Sequence, residues 1–139
     1  MSEIPRKIIE AYLETEYHVL GDPSFMLSIG VTSEPLGKLY KQTRTNCAVF
    51  ITAWNPQSRD VDVATNKAKQ AELAKELSQR SLACFDGIGR HPTGGWPEEP
   101  GFFVPGLSLE AAKKLGIKYG QNAVVWCGSD AVPELVTLR

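Results

Sequence analysis

The chain has 139 residues, of which 42% are hydrophobic and 22% charged, and these ordinary globular values exclude a disordered chain and a coiled coil. Because 15 Lys and Arg residues are scattered among 16 Asp and Glu residues, the charge pattern disfavours nucleic acid as a partner. No apolar run reaches the roughly 20 residues of a membrane-spanning helix and residues 1–12 lack a signal-peptide core, so we expect one soluble, cytoplasmic domain over residues 1–139 with no membrane contact.

The first half of the chain alternates between helical and extended patterns. It predicts, in chain order, a helix over residues 5–14, a strand over 15–20, a turn at 21–24, a strand over 25–31, a helix or turn over 35–43, and a strand over 47–54. The last of these, "CAVFITAW", is apolar almost without a break. Such a run is typical of a strand covered on both faces, so we place it in the middle of the sheet.

The second half of the chain contains the longest helical pattern. It predicts a helix over residues 63–80, a strand over 81–88, an irregular loop over 89–100, a strand over 101–107, a helix over 108–120 with Ser108 as N-cap and Gly120 as stop, and strands over 122–128 and 134–138. The strand, helix and strand over 47–88 predict a right-handed crossover unit. The whole order predicts an α+β domain, with a central mixed sheet and about three helices.

Three cysteines lie in apolar runs, at Cys47, Cys84 and Cys127. An odd number without a paired spacing is typical of buried, reduced thiols in a cytosolic protein. Neither the cysteines nor the two histidines show a metal-ligand spacing, and no serine lies in an elbow motif. We therefore predict no metal site and no serine hydrolase, and the sequence identifies no cofactor.

The first candidate site is the segment "NPQSRDVD", which joins the end of a buried strand to the start of the long helix. Helix amides and the helix dipole favour an anion at such a place, with Asn55, Ser58 and Arg59 as donors. Alternatively Asp62 caps the helix and occupies those amides, and Asn55 before Pro56 forms an ordinary turn.

Asn66 lies within about 20° of Leu73 and Leu77 on a helical wheel, so its polar amide is predicted to point inward. It lies near the strand end that carries Thr52. Asn66 then either contacts a ligand or hydrogen-bonds a loop carbonyl.

The second candidate site is the loop "GGWPEEP" with His91 just upstream. Prolines on both sides of the glutamates favour an extended backbone, in which Glu98 and Glu99 face opposite sides, so at most one of them enters a pocket. This disfavours a glycosidase built on that pair. Glu98 would share its side with Trp96 and serve as a base, and His91 would be a general base or a metal ligand. The alternative is a tryptophan that anchors the loop beside two solvated glutamates and a structural histidine.

The third candidate is "YGQNAVVW", where Gln121 and Asn122 stand at the entry of a buried strand. Two amides can contact a polar ligand with donors and acceptors at once. They can equally satisfy the end of the preceding helix.

Taken together, "AYLETEY", "ITAWNP", the asparagine that opens the long helix, "GGWPEEP" and "YGQNAVVW" resemble the bacterial family named domain of unknown function 3293, over nearly the whole chain. The family has no assigned activity, so the resemblance does not indicate one. It implies that polar positions cluster in these segments, namely Thr15, Tyr17, Thr52, Asn55, Asn66, Trp96, Glu98, Gln121 and Asn122. The chain departs from the family pattern at Thr65 and Lys69, where a glutamate and an arginine are expected, and lysine offers a point charge instead of a planar fork.

We therefore expect a cleft that binds a small polar or phosphorylated, nucleotide-like ligand, with hydrolysis or group transfer as the reaction class if it is an enzyme. Arg59 would neutralise an anion, and Trp96 would stack on a ring; the further expected ligand contacts are Thr52, Asn55, Asn66, Glu99, Gln121 and Asn122. The alternative is a protein-interaction module that docks a partner through the Trp96 loop, because Trp is favoured at interface hot spots.

Overall fold

The computed structural model describes residues 4–21, 24–80 and 82–139. The described residues form four α-helices: α1 Arg6–Glu14, α2 Glu34–Thr43, α3 Val63–Ser78 and α4 Leu109–Lys118. They also form seven strands: β1 Glu16–Leu20, β2 Phe25–Leu27, β3 Ala48–Ile51, β4 Phe85–Arg90, β5 Glu99–Pro105, β6 Ala123–Cys127 and β7 Pro133–Thr137. The α+β class is confirmed, with four helices where about three were expected. The centre of the turn at 21–24 and the first residue of the strand expected over 81–88 lie outside the described residues.

The seven strands form one sheet in the order β2-β1-β4-β5-β3-β6-β7, and every pairing in the described part of the chain is antiparallel. The expectation of a mixed sheet is therefore wrong. β3 and β4 do run in the same direction, because each pairs antiparallel with β5, but β5 lies between them. The crossover through α3 thus joins two strands that do not touch. β5 occupies the middle position, and β3 lies beside it.

Both faces of the sheet are covered, as the apolar run in β3 indicates. All four residues of β3 are buried. Val49 and Ile51 pack on one face against apolar residues of α3 and α4. Ala48 and Phe50 pack on the opposite face in a cluster that includes residues of α2. The continuous apolar run therefore reflects two cores on one strand.

The helix ends follow the sequence signals. Ser108 Oγ accepts a hydrogen bond from Ala111 N at 3.2 Å, which confirms it as the N-cap of α4. Gly120 adopts φ +69° two residues after α4 ends, a conformation that glycine adopts without strain, and so stops the helix. None of the helices in the described ranges is both long and apolar enough to cross a bilayer.

One expectation about the cysteines is wrong. Cys127 is buried and Cys47 is partly buried, but Cys84 is exposed. Cys84 directly precedes β4 and Cys47 directly precedes β3, so the position beside a strand does not decide which thiol is buried. An apolar neighbourhood in sequence did not predict burial here.

Candidate functional site

A cavity of about 270 Å³ lies where β3 ends and is lined by residues of α1 and of the segment from His91 to Glu99. Its volume is close to the lower end of the range for small-ligand pockets, about 300 Å³. The wall contains four aromatic side chains and two carboxylates: Tyr12, Tyr17, Phe50, Trp96, Asp60 and Glu99. Among the described residues, no Lys or Arg side chain lines it. The cavity therefore combines aromatic surface with unneutralised negative charge.

The register of β5 turns Glu99 toward this cavity. In β5, Glu99, Gly101 and Phe103 share a face, and Phe103 packs in the same core cluster as Phe50. A side chain at Gly101 would place its Cβ 2.7 Å from the Phe50 ring, so the glycine gives that ring its place in the cavity floor. The alternation that turns Glu99 inward turns Glu98 away.

Glu99 is a half-buried carboxyl group. Burial raises its pKa to about 7, an effect that the hydrogen bond from Asn55 opposes and the nearby charge of Asp60 reinforces. The Asn55 Nδ2 atom donates to Glu99 Oε2 at 3.3 Å. A carboxyl with this pKa can give or take a proton at neutral pH.

Asn66 holds Asn55 in position from behind the cavity. Asn66 Oδ1 accepts from Asn55 N at 2.8 Å, and Asn66 Nδ2 donates to Asn55 Oδ1 at 2.8 Å and to the Val61 carbonyl at 3.1 Å. Val61 N donates to the same Asn55 Oδ1 at 3.1 Å, so Asn55 Nδ2 is the atom that faces Glu99. Asn66 is only 2% exposed and points inward as predicted, where it bonds a loop carbonyl. It does not line the cavity.

Gln70 makes structural contacts that were not predicted from the sequence. Its Oε1 accepts from Ala53 N at 2.9 Å and its Nε2 donates to the Pro100 carbonyl at 3.0 Å, which ties α3 to the ends of β3 and β5. Thr52 lines the cavity, but its hydroxyl already donates to the Pro100 carbonyl at 2.7 Å. The missed signal was spacing, because Gln70 follows Asn66 by one helical turn on the inward stripe.

The start of α3 is closed by its own cap. Asp62 Oδ2 accepts from Thr65 N at 3.0 Å, and Asp62 Oδ1 accepts from the Thr65 hydroxyl at 2.7 Å. The capping alternative is thus confirmed. Arg59 is exposed and does not line the cavity. Of the three residues expected to form an anion site, Asn55 and Ser58 line the cavity and Arg59 does not.

The loop before β5 divides its candidates between cavity and solvent. Trp96 lines the cavity and is 39% exposed. Glu98 is exposed outside it, where its Oε2 accepts from Arg90 Nε at 2.7 Å. His91 is buried in the wall; its Nδ1 lies 2.8 Å from the Thr93 hydroxyl. At most one of the two glutamates enters the pocket, as predicted, but it is Glu99 and not Glu98.

The amides at the entry of β6 have different roles. Gln121 lines the cavity, while its Nε2 donates to the Trp54 and Tyr119 carbonyls, each at 3.3 Å. Asn122 stands behind the wall, where its Nδ2 donates to the Tyr12 hydroxyl at 3.1 Å. That hydroxyl also lies 2.6 Å from Ser58 Oγ. The two amides therefore support α1 and the loop at Ser58 as well as the wall.

The positions that the family resemblance groups together do converge on this cavity. Those that line it are Thr15, Tyr17, Thr52, Asn55, Trp96 and Gln121. Asn66 and Asn122 lie directly behind it, and Glu99 takes the place expected for Glu98. In the described part of the chain, no three His, Cys, Asp or Glu side chains cluster to hold a metal ion.

Comparison with known proteins relates the chain to a family. The model of a family described as "Protein of unknown function (DUF3293)" matches residues 51–124, slightly more than half of the chain. The matched segment carries Asn55, Asn66, Glu99 and both amides before β6, and it leaves out α1. No curated protein and no solved structure matches the chain significantly.

Proposed function

Since the chain belongs to the DUF3293 family, whose description assigns no activity, we propose from the cavity itself that the protein binds a small polar organic molecule against Glu99. The observation that carries this proposal is a carboxyl group that is half buried in the wall of a cavity and is held there by Asn55. Convergent polar groups in a largely apolar pocket are typical of small-molecule sites.

The cavity offers a ligand both orientation and contact area. Asn55 directs the Glu99 carboxylate, and Gln121 adds an amide to the wall. Trp96 and Tyr12 supply aromatic surface, one from the loop before β5 and one from α1. A ring with polar substituents matches this combination of surfaces.

The charges in the wall support a polar ligand over a phosphorylated one. Asp60 and Glu99 both line the cavity, and no Lys or Arg from the described residues faces them. A phosphate group would be repelled by these carboxylates in a partly desolvated site. The start of α3, which would otherwise attract an anion, is occupied by Asp62.

Glu99 also determines the proposed chemistry. A general acid or base works best when its pKa lies near the working pH, and burial raises the pKa of Glu99 to about 7. If the bound molecule is converted, we propose hydrolysis or group transfer with Glu99, in place of Glu98, as the group that moves the proton.

The proposal is tested by thermal melting of the purified protein against a panel of polar metabolites, nucleosides and sugar phosphates. A ligand at 100 times its Kd adds about 2.7 kcal/mol, which shifts the Tm by several degrees. The shift is expected to disappear in Glu99→Gln and to persist in Glu98→Gln, a matched control whose side chain lies outside the cavity. A shift that survives in Glu99→Gln would place the ligand elsewhere.

A second candidate, docking of a protein partner, is favoured by the 39% exposure of Trp96. Trp96→Ala separates the two proposals. If the loop docks a partner, this variant loses a co-purifying protein while Glu99→Gln retains it. If the cavity binds a ligand, both variants weaken the ligand-induced shift in Tm.

A further inference from the structure

Glu99 lines the cavity and has no cationic partner among the described residues. Glu98, by contrast, is paired with Arg90, and Glu76 is paired with Lys118. The hydrogen-bond partner of Glu99 within the described residues is the neutral amide of Asn55, at 3.3 Å. A partly buried carboxylate without a positive partner destabilises the fold, so a ligand that supplies the charge would relieve that cost.

The rest of the wall suits the same kind of ligand. The aromatic side chains of Tyr12, Tyr17, Phe50 and Trp96 line the cavity with Glu99. The faces of aromatic rings attract cations, and rings combined with carboxylates are a common way of binding ammonium groups. Asp60 adds a second negative charge at an exposed position in the wall.

From this arrangement we infer that the ligand is an organic cation, a small amine or amidine on a single ring, whose charged nitrogen pairs with Glu99 while its ring lies among Tyr12 and Trp96. The volume of about 270 Å³ corresponds to roughly nine water volumes of ~30 Å³, which is room for one substituted ring. This inference rests on the proposed function and narrows it to one class of ligand.

The pH dependence of binding follows from the sign of the charge. Burial raises the pKa of Glu99 to about 7, so its carboxylate is mostly ionised at pH 8 and mostly protonated at pH 6. A permanently charged ligand is therefore expected to bind about tenfold more weakly at pH 6 than at pH 8. The other titratable groups in the wall are Asp60, Tyr12, Tyr17 and His91, and a His91→Gln variant separates the imidazole from the carboxyl in the profile.

The test uses four probes of similar size: phenyltrimethylammonium, benzamidine, benzyl alcohol and benzoate. Their affinities for the full chain are measured by calorimetry at pH 8, and the phenyltrimethylammonium titration is repeated at pH 6. The two cations are expected to bind at least tenfold more tightly than the alcohol, and benzoate most weakly. Glu99→Gln is expected to remove the preference for cations, and Glu98→Gln to leave it unchanged.

The outcomes separate the inference from the function on which it rests. Binding of benzyl alcohol or benzoate as tight as that of the cations overturns the inference and leaves the small-ligand site standing. A preference for cations that persists in Glu99→Gln also overturns it, because the charge would then be recognised elsewhere. If no probe binds the folded protein at millimolar concentration and the metabolite panel is silent, both the inference and the proposed function fail.

Discussion

Two polar regions meet at Asn55, and they use their hydrogen-bonding groups in opposite ways. On one side Asn55, Val61 and Asn66 form a closed set of hydrogen bonds, which we call the loop cluster, and the Asn66 amide is satisfied by that set. On the other side Glu99 faces a cavity, and Asn55 gives it one neutral hydrogen bond. A buried polar residue is therefore not in itself a site; an ionisable group that the fold leaves without a charge partner is the stronger sign.

The largest effect is expected from a substitution that breaks the loop cluster. Asn66→Ala removes three hydrogen bonds and leaves the buried amide of Asn55 without its acceptor, so we expect a loss of about 2–4 kcal/mol in the free energy of unfolding. Urea denaturation measures it. Lys67→Ala, at an exposed position on the same helix, is the control and is expected to stay within about 0.5 kcal/mol. A loss below about 1 kcal/mol for Asn66→Ala would mean that the loop is held by other contacts.

The second effect is that of Glu99→Gln, which is expected to raise the free energy of unfolding by an amount that depends on pH. The folded-state pKa of Glu99, about 7, lies above its ordinary value of 4.5, so the folded protein binds more protons than the unfolded chain between these values. Stability contributed by the protonated group is complete below pH 4.5 and is lost as the pH rises through 7. Glu99→Gln is therefore expected to be more stable than the natural chain at pH 8, by up to about 3 kcal/mol, and equally stable near pH 4.5.

This comparison is made by urea denaturation of both proteins at pH 4.5 and pH 8. Glutamine keeps an oxygen that can accept the hydrogen bond from Asn55 Nδ2, so the substitution removes the charge and retains the contact. If the natural chain and Glu99→Gln are equally stable at pH 4.5 and also at pH 8, Glu99 is well solvated in the folded protein.

A third, smaller effect is expected at Gln70, which links α3, the helix that carries Asn66, to Ala53 and to Pro100 beside Glu99. Gln70→Ala leaves Ala53 N without its acceptor, whereas the Pro100 carbonyl keeps the Thr52 hydroxyl. We expect a loss of about 1–2 kcal/mol and faster hydrogen exchange at the Ala53 amide. Unchanged exchange at that amide would argue against the contact.

The smallest effect is expected at Glu98. Its ion pair with Arg90 has side chains 54% and 49% exposed, and pairs of this kind contribute about 0–1 kcal/mol. Glu98→Gln is expected to change the Tm by no more than a degree or two at any pH. A pH-dependent gain like that of Glu99→Gln would reverse the assignment of the two glutamates.

Local spacing was enough to predict the inward position of Asn66. Its angular distance from Leu73 and Leu77 depends on helix geometry alone, and all three side chains are buried. The cap at Asp62 could likewise be predicted from the sequence, because capping involves only the first turn of α3. These features are set by residues within about three turns of one another.

The choice between Glu98 and Glu99 could not be made in that way. Alternation predicts that the two face opposite sides, but it does not say which side is inward. That depends on the pairing of β5 with β3, in which Phe103 lies opposite Phe50. Alternation extended from Trp96 gives the wrong side, because Trp96 lies in a bend before β5 begins and so does not share the strand's register.

The sequence by itself determined the α+β class, most of the helices and strands, the strand buried on both faces and the convergence of polar segments on one region. The elements and the buried strand follow from periodicity, caps and the placement of apolar residues, which act over short stretches of chain, whereas the convergence of the polar segments was implied by the family resemblance. Only the tertiary structure decided that β5 enters between β3 and β4, that the sheet is antiparallel, and that Glu99 faces the cavity. Strand order and register depend on contacts between residues far apart in the chain, such as Phe50 with Phe103, and no local pattern specifies them.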